Sequence, residues 1–169
     1  MSRPESLVLV ECNPDVSLLR ELGIPRRRIR HAGGKGDICN YLRKSKNAIA
    51  LMDEDPDSSQ PSYLRKLAEI ELNAWEAGCQ IRVLEDRERG HRIVLLHPRL
   101  EEWILRAAQQ NGMDVARLGL PAEGNSLHQV IAVRPSTFEE LLRSLRESRE
   151  LRCLRRCLEV EQLEREPAK

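Results

Sequence analysis

One stretch constrains the chain most: a buried apolar run that stops abruptly in three acids. Ala48 to Met52 is uninterrupted and apolar, and Asp53, Glu54 and Asp55 follow it directly. Such a run has the length of a buried strand, and open α/β sheets build their sites at the carboxyl tips of these strands. Two carboxylates held close raise each other's pKa unless a cation lies between them. The stretch therefore predicts either a divalent-cation site at a strand tip or a solvated acidic loop.

Two earlier strands are predicted to end at the same edge. Ser6–Val10 has no helical period and predicts a buried strand that ends at Glu11. A weaker strand over residues 28–32 runs into the glycine turn at residues 33–36. In a β-α-β-α-β order, right-handed connections place the tips of parallel strands on one edge. The sequence therefore predicts an α/β, Rossmann-like fold with a central, mostly parallel sheet flanked by helices.

The remainder of the chain is predicted to alternate helices and strands. Hydrophobic spacing and turn residues indicate, in order, a helix over Tyr63–Ala77, strands at Ile81–Leu84 and Arg92–Leu96, a helix from Pro98 to Gly112, a strand at Val130–Val133 and a helix from Ser136 or Thr137 that continues towards Glu166. We therefore predict a main domain over residues 1–135 and a C-terminal helical extension over residues 136–169.

Composition narrows the class of protein. The net charge is +1 and aromatic residues make up only 3%, so the core must be built from aliphatic side chains. No run approaches the length of a membrane span, which predicts a cytoplasmic protein without membrane contact. The five cysteines lack metal-ligand spacing and are expected to be reduced thiols.

The glycine turn suggests an anion site. Gly34 and Lys35 lie where a strand meets a helix, and backbone N–H groups at such helix N-termini bind phosphate. Lys35 is the strongest candidate for a phosphate contact, although the spacing is not that of a Walker A loop. An ordinary strand-to-helix turn is the alternative. The arginines at residues 26–28 and 143–156 form local basic patches that would suit phosphates, a solvated surface or a docked partner.

Together these motifs resemble a Toprim domain, the catalytic fold of topoisomerases, bacterial primases and OLD-family nucleases. The resemblance lies in Val10-Glu11 followed by Asp15, and in Leu51-Met52-Asp53-Glu54-Asp55. The stretch Leu100-Glu101-Glu102-Trp103-Ile104 is similar to a helix of small stand-alone Toprim-like proteins of bacteria and archaea. Cys12 departs from the family pattern, which has glycine directly after the glutamate.

The resemblance implies a chemistry for these residues. Asp53 and Asp55 would bind Mg²⁺ or Mn²⁺, Glu11 would be the catalytic acid/base or a further ligand, and Glu101 would add an acid to the metal site. The implied function is metal-dependent cleavage of DNA or RNA, in phage defence or DNA repair, with an ATPase as partner. The alternative is a non-catalytic module that binds nucleic acid or protein. The C-terminal helix is the expected docking or oligomer surface.

Overall fold

The structure is a computed structural model that describes residues 5–159, apart from the side chains of Ala74 and Trp75. The strands are β1 (Val8–Val10), β2 (Ile29–His31), β3 (Ile49–Asp53), β4 (Ala68–Glu69), β5 (Ile81–Asp86) and β6 (His91–Leu96). The helices are α1 (Asn13–Glu21), α2 (Lys35–Arg43), α3 (Ser62–Arg65), α4 (Ala74–Ala77), α5 (Leu100–Gln110), α6 (Gly124–Val133), α7 (Pro135–Ser144) and α8 (Arg149–Leu158).

The six strands form one sheet in the order β2-β1-β3-β6-β5-β4. The first four strands in that order are parallel, while β5 and β4 add an antiparallel edge. β5 and β6 form an antiparallel hairpin across the short polar turn that separates them. The expected Rossmann-like α/β fold, with a mostly parallel sheet between helices, is confirmed.

Helices cover both faces of the sheet, and the alternation of side chains along each strand sends neighbouring residues into two different cores. Val8 and Val10 of β1 belong to the larger core, which includes residues from α1 and α5 to α8. Leu9 points to the other side and joins a smaller core with residues of α2 and α3. Burial on both faces explains why these strands are continuous apolar runs. Within residues 5–159, no helix is both long and apolar enough to cross a bilayer.

The predicted helix over Tyr63–Ala77 is wrong. The segment contains the short helices α3 and α4 with β4 between them, and β4 pairs with β5. Ile70 N–H donates to the Val83 carbonyl at 2.8 Å, which extends this edge of the sheet. The Asn73 side chain then caps α4 by accepting from Glu76 N–H. Pairing with a sheet edge overrides the helical spacing. The same spacing predicts Trp75 on the apolar face of that helix and in the core, and its side chain lies outside the described residues.

The predicted strand at Val130–Val133 is also wrong, because these residues end α6. The Glu123 carboxylate accepts from Asn125 and Ser126 N–H and starts this helix. The C-terminal helix is interrupted: α7 ends at Ser144, and Ser148 begins α8 by accepting from Leu151 N–H. The proposed continuation over residues 160–166 lies outside the described residues.

The apolar face of α8 is already used by the chain's own core. Its buried residues include Leu151, Leu154 and Leu158, which belong to the larger core. A docking or oligomer role for this helix would therefore depend on its exposed polar face, and it stays a prediction.

Candidate active site

Glu11 and Asp53 meet at the carboxyl edge of the parallel strands, although 42 positions separate them in the chain. β1 and β3 are neighbours, with Val10 opposite Leu51. The next residues along each strand therefore leave the sheet side by side. Glu11 Oε2 accepts from Asp53 N–H at 3.0 Å, so the predicted convergence of the two motifs is present in the fold.

The Asp53 side chain joins this edge to α5. Its Oδ1 accepts from Leu100 N–H at 2.8 Å, in the first turn of that helix. A carboxylate is favoured there by the unpaired N–H groups and the positive end of the helix dipole. The contact places Glu101 next to the same edge, where its side chain is buried. Glu101 Oε1 lies 2.7 Å from His128 Nδ1 on α6. No sequence spacing indicates His128, because only the packing of α6 against α5 brings it here.

The two other acids of the motif diverge. Glu54 points away from the edge and pairs with Arg82 at 2.5 Å and with His97 at 2.7 Å. Asp55 has a φ of 47°, and its N–H donates to the Pro98 carbonyl. In a regular strand, Asp53 and Asp55 would point to the same side because they are two residues apart. The left-handed conformation of Asp55 turns the chain out of the strand, so this relation does not hold here.

Lys35 holds this acidic turn in place. Its Nζ donates to the Glu54 carbonyl at 2.9 Å and lies 3.7 Å from Asp55 Oδ2. Gly34 is the exposed N-cap of α2 at the same edge. The Lys35 ammonium group is therefore engaged with the Glu54 carbonyl and with Asp55. The phosphate-binding roles of Gly34 and Lys35 stay predictions.

Asp15, which follows Glu11 in the motif, is a further acid of the cluster. Cys12 is the N-cap of α1, although Asn13, the next residue, is the type that usually starts a helix. Asp15 Oδ2 accepts from both Cys12 N–H and Cys12 Sγ–H at 3.2 Å. The Asp15 side chain is only 3% exposed. Its place four residues after Glu11 was the available signal, since one helical turn returns it to the strand tip.

Burial and mutual repulsion perturb these acids strongly. Burial, then the charges of Asp15, Glu11 and Glu101, raise the pKa of Asp53 to about 8. Burial and the charge of Glu11 raise the pKa of Asp15 to about 7, although hydrogen bonds from Cys12 oppose this. Burial also raises the pKa of Glu11, against the Asp53 N–H bond and the Lys35 charge. The edge thus concentrates carboxylates whose ionised forms are costly without additional positive charge.

The donor chemistry fits a hard divalent cation. Glu11, Asp53, Asp55 and Glu101 all offer carboxylate oxygens, the ligands that Mg²⁺ and Mn²⁺ prefer. Glu11 and Asp53 each use one oxygen in a backbone hydrogen bond. As these side chains stand, no group of three or more His, Cys, Asp or Glu residues within 5–159 has the arrangement of a formed metal centre. Ligation would require side-chain rotation at this edge.

Comparison with known proteins assigns no family. No protein-family model matches the chain, and no curated protein or solved structure matches it significantly. The resemblance to Toprim domains therefore depends on the motif residues alone.

Proposed function

We propose that this chain is a divalent-metal-dependent phosphodiesterase of the Toprim type that cleaves nucleic acid in the cytoplasm. The observation that supports the proposal best is the convergence of Glu11, Asp53 and Glu101 at one sheet edge. These residues come from three separated parts of the chain. Buried carboxylates gathered in this way are costly to stability, and such costs are concentrated at functional sites.

Asp53 and Asp55 would hold Mg²⁺ or Mn²⁺, with Glu101 as a further acid beside them and Glu11 as the acid/base or a further ligand. Bound there, the ion would stabilise negative charge on the oxygens of the phosphodiester. The Glu101–His128 contact holds the Glu101 carboxylate against α6 and limits its motion. The Asp53–Leu100 hydrogen bond fixes the acid edge relative to α5.

Glu11 is the candidate for proton transfer. Burial raises its pKa above the ordinary range for glutamate, which brings proton exchange at its carboxyl oxygens closer to neutral pH. Glu11 Oε2 already accepts from Asp53 N–H, so Oε1 is the oxygen available to exchange a proton with a substrate or water. Lys35 moderates the negative charge of the edge, since its ammonium group interacts with both Glu11 and Asp55.

The test is nuclease activity of the purified chain on plasmid DNA and on RNA with Mg²⁺ or Mn²⁺. We expect cleavage that Glu11→Gln and Asp53→Asn each reduce to background. Asp57→Asn is the matched control, because Asp57 is an exposed acid of the same turn and lies outside the cluster. Cleavage that survives both site substitutions would reject the proposal, as would an inactive chain that binds no divalent ion in calorimetric titration.

A non-catalytic module that binds nucleic acid or a partner protein, such as an ATPase, is the second candidate. Two observations favour it. Cys12 occupies the position after Glu11 where the resemblance implies glycine, and its thiol contacts Asp15. The acids are also held by backbone N–H groups rather than arranged as a formed metal centre. Cys12→Gly distinguishes the candidates: a decayed site would gain metal affinity and cleavage, whereas a working site would change little.

A further inference from the structure

Positive charge is concentrated in one segment of a nearly neutral chain. Residues 26–46 contain eight Lys or Arg and a single Asp, whereas the whole chain has 28 Lys or Arg and 27 Asp or Glu. The segment includes β2 and α2, which lie next to the acid edge. A local basic surface on a neutral protein indicates a polyanionic partner at that surface.

β2 gives this charge a defined place in the fold. It is the outermost strand on the parallel side of the sheet, and β1 is its neighbour. Arg30 and His31 of β2 are exposed, and the 3₁₀ turn Arg26–Arg28 leads directly into the strand. We define the basic strip as Arg26, Arg28, Arg30, His31 and Tyr41.

The arginines of the basic strip contact backbone carbonyls and an aromatic ring rather than carboxylates. Arg26 Nη1 donates to the Ile29 carbonyl at 2.9 Å, and Arg28 Nε donates to the Ser6 carbonyl at 3.0 Å. The Arg30 guanidinium carbon lies 4.8 Å from the centre of the Tyr41 ring. Across residues 5–159, none of these three arginines forms an ion pair with a carboxylate. Their contacts orient the side chains without neutralising them.

The basic strip runs into the candidate active site. His31 is opposite Val10 in the sheet, one residue before Glu11. His31 Nε2 lies 2.9 Å from the Glu11 carbonyl oxygen. A phosphate chain that follows β2 towards its carboxyl end therefore arrives at Glu11 and, through it, at Asp53.

We propose that the basic strip binds the backbone of single-stranded nucleic acid and leads it to the acid edge. The inference rests on the proposed function, because it names the form of the substrate for that site. The charged residues of the strip follow a single strand, β2, and the turn before it, which suits one phosphate chain. The stacked Arg30 and Tyr41 present planar groups on which an unpaired base can stack, and such platforms beside basic grooves are typical of single-strand binding. The bases of a duplex are already stacked on one another.

The experiment measures binding separately from cleavage. Fluorescence anisotropy of a labelled oligothymidylate of about 20 nucleotides, longer than the roughly 4–16 nucleotides that one single-strand domain covers, gives the affinity of the full chain without divalent ions. The variant Arg26→Gln/Arg30→Gln tests the strip, and Arg117→Gln/Arg134→Gln is the matched control at two exposed arginines outside both basic patches. Thermal unfolding checks that all variants are folded.

We expect the strip variant to bind at least about tenfold more weakly and the control variant to bind like the wild type. The slope of log K against log salt, between about 50 and 200 mM, should fall by about 1.4 for two lost phosphate contacts. Arg30→Lys keeps the charge and loses the planar stack, so it should retain most of this slope but bind more weakly. If Arg30→Gln leaves the strip variant poorly folded, Arg30→Lys and Tyr41→Leu test the platform by themselves.

Several results would overturn the inference. One is equal weakening in the strip and control variants, which would indicate general charge attraction. Tighter binding of a duplex of the same length, or equal competition by polyglutamate, would reject the single-strand assignment. Absence of binding by the wild-type chain would reject the strip even if the chain cleaves nucleic acid. Conversely, intact strip-dependent binding without cleavage would reject the proposed function alone.

Discussion

Replacing Asp53 by asparagine should stabilise the protein while it removes activity. The amide has the shape of the carboxylate, and its oxygen can still accept from Leu100 N–H, the contact that Asp53 Oδ1 makes at 2.8 Å. The substitution therefore deletes a negative charge from the acid edge with little change in packing. That charge is costly because burial and the charges of Asp15, Glu11 and Glu101 raise the pKa of Asp53 to about 8.

The size and pH dependence of the effect follow from linkage. Each pKa unit corresponds to about 1.4 kcal/mol, so a rise from 3.8 to about 8 sets an upper limit of about 6 kcal/mol. Removal of one charge also relaxes the repulsion felt by Asp15 and Glu11, so we expect a gain of about 2–3 kcal/mol. The folded state binds the Asp53 proton more tightly than the unfolded state. Wild-type stability therefore falls as pH rises from about 4 to about 8, and the variant escapes this loss.

Urea unfolding of both proteins at pH 4, 6 and 9 measures the effect. We expect a small difference near pH 4 that grows to a plateau above the pKa of about 8. Asp57→Asn, at an exposed position, should show no such trend. Added Mg²⁺ should stabilise the wild type and leave the Asp53 variant unchanged, because only the wild type offers the full set of carboxylates. A variant that is less stable than the wild type, or a difference independent of pH, would refute the reasoning.

Three further substitutions test the packing around the site. Lys35→Met should lower the free energy of unfolding by about 1–3 kcal/mol and weaken Mg²⁺ binding, because the ammonium group holds the Glu54 carbonyl at the acidic turn. Unchanged values in chemical unfolding and in calorimetric titration with Mg²⁺ would contradict this. Trp103→Phe should lower the free energy of unfolding in urea by about 1–3 kcal/mol, because the buried Cys79 carbonyl loses the indole N–H donor at 2.8 Å. An unchanged urea midpoint would show that water replaces this donor. Ser148→Ala should cost about 1 kcal/mol by removing the cap of α8, and Ser148→Asp should restore most of this stability in the same assay.

The sequence by itself determined the parallel part of the sheet. The apolar runs that form β1 and β3 are short, continuous and bounded by turn residues, and their length and flanks indicate buried strands. Their order with intervening helices indicates parallel strands with right-handed connections, which places Glu11 and Asp53 at one edge. Local signals are sufficient where burial on both faces demands apolar residues throughout.

Tertiary structure decided the remainder. The Tyr63–Ala77 segment has helical spacing, but pairing with β5 converts its middle into a sheet edge. Residues 130–133 are apolar and three of the four are β-branched, yet they complete a helix because Glu123 starts α6 seven residues earlier and packing continues it.

The fold also determines which residues join the acid cluster. Asp15 joins it through the first turn of α1, as its spacing from Glu11 indicates. His128 joins it through the packing of α6 on α5, a contact that no spacing in the sequence expresses. The left-handed turn at Asp55 and the position of Lys35 likewise depend on atoms distant in the chain. Sequence determined which carboxylates reach the edge of the sheet. Only the folded chain determined how deeply they are buried and which neighbours oppose their charge, because both depend on long-range packing.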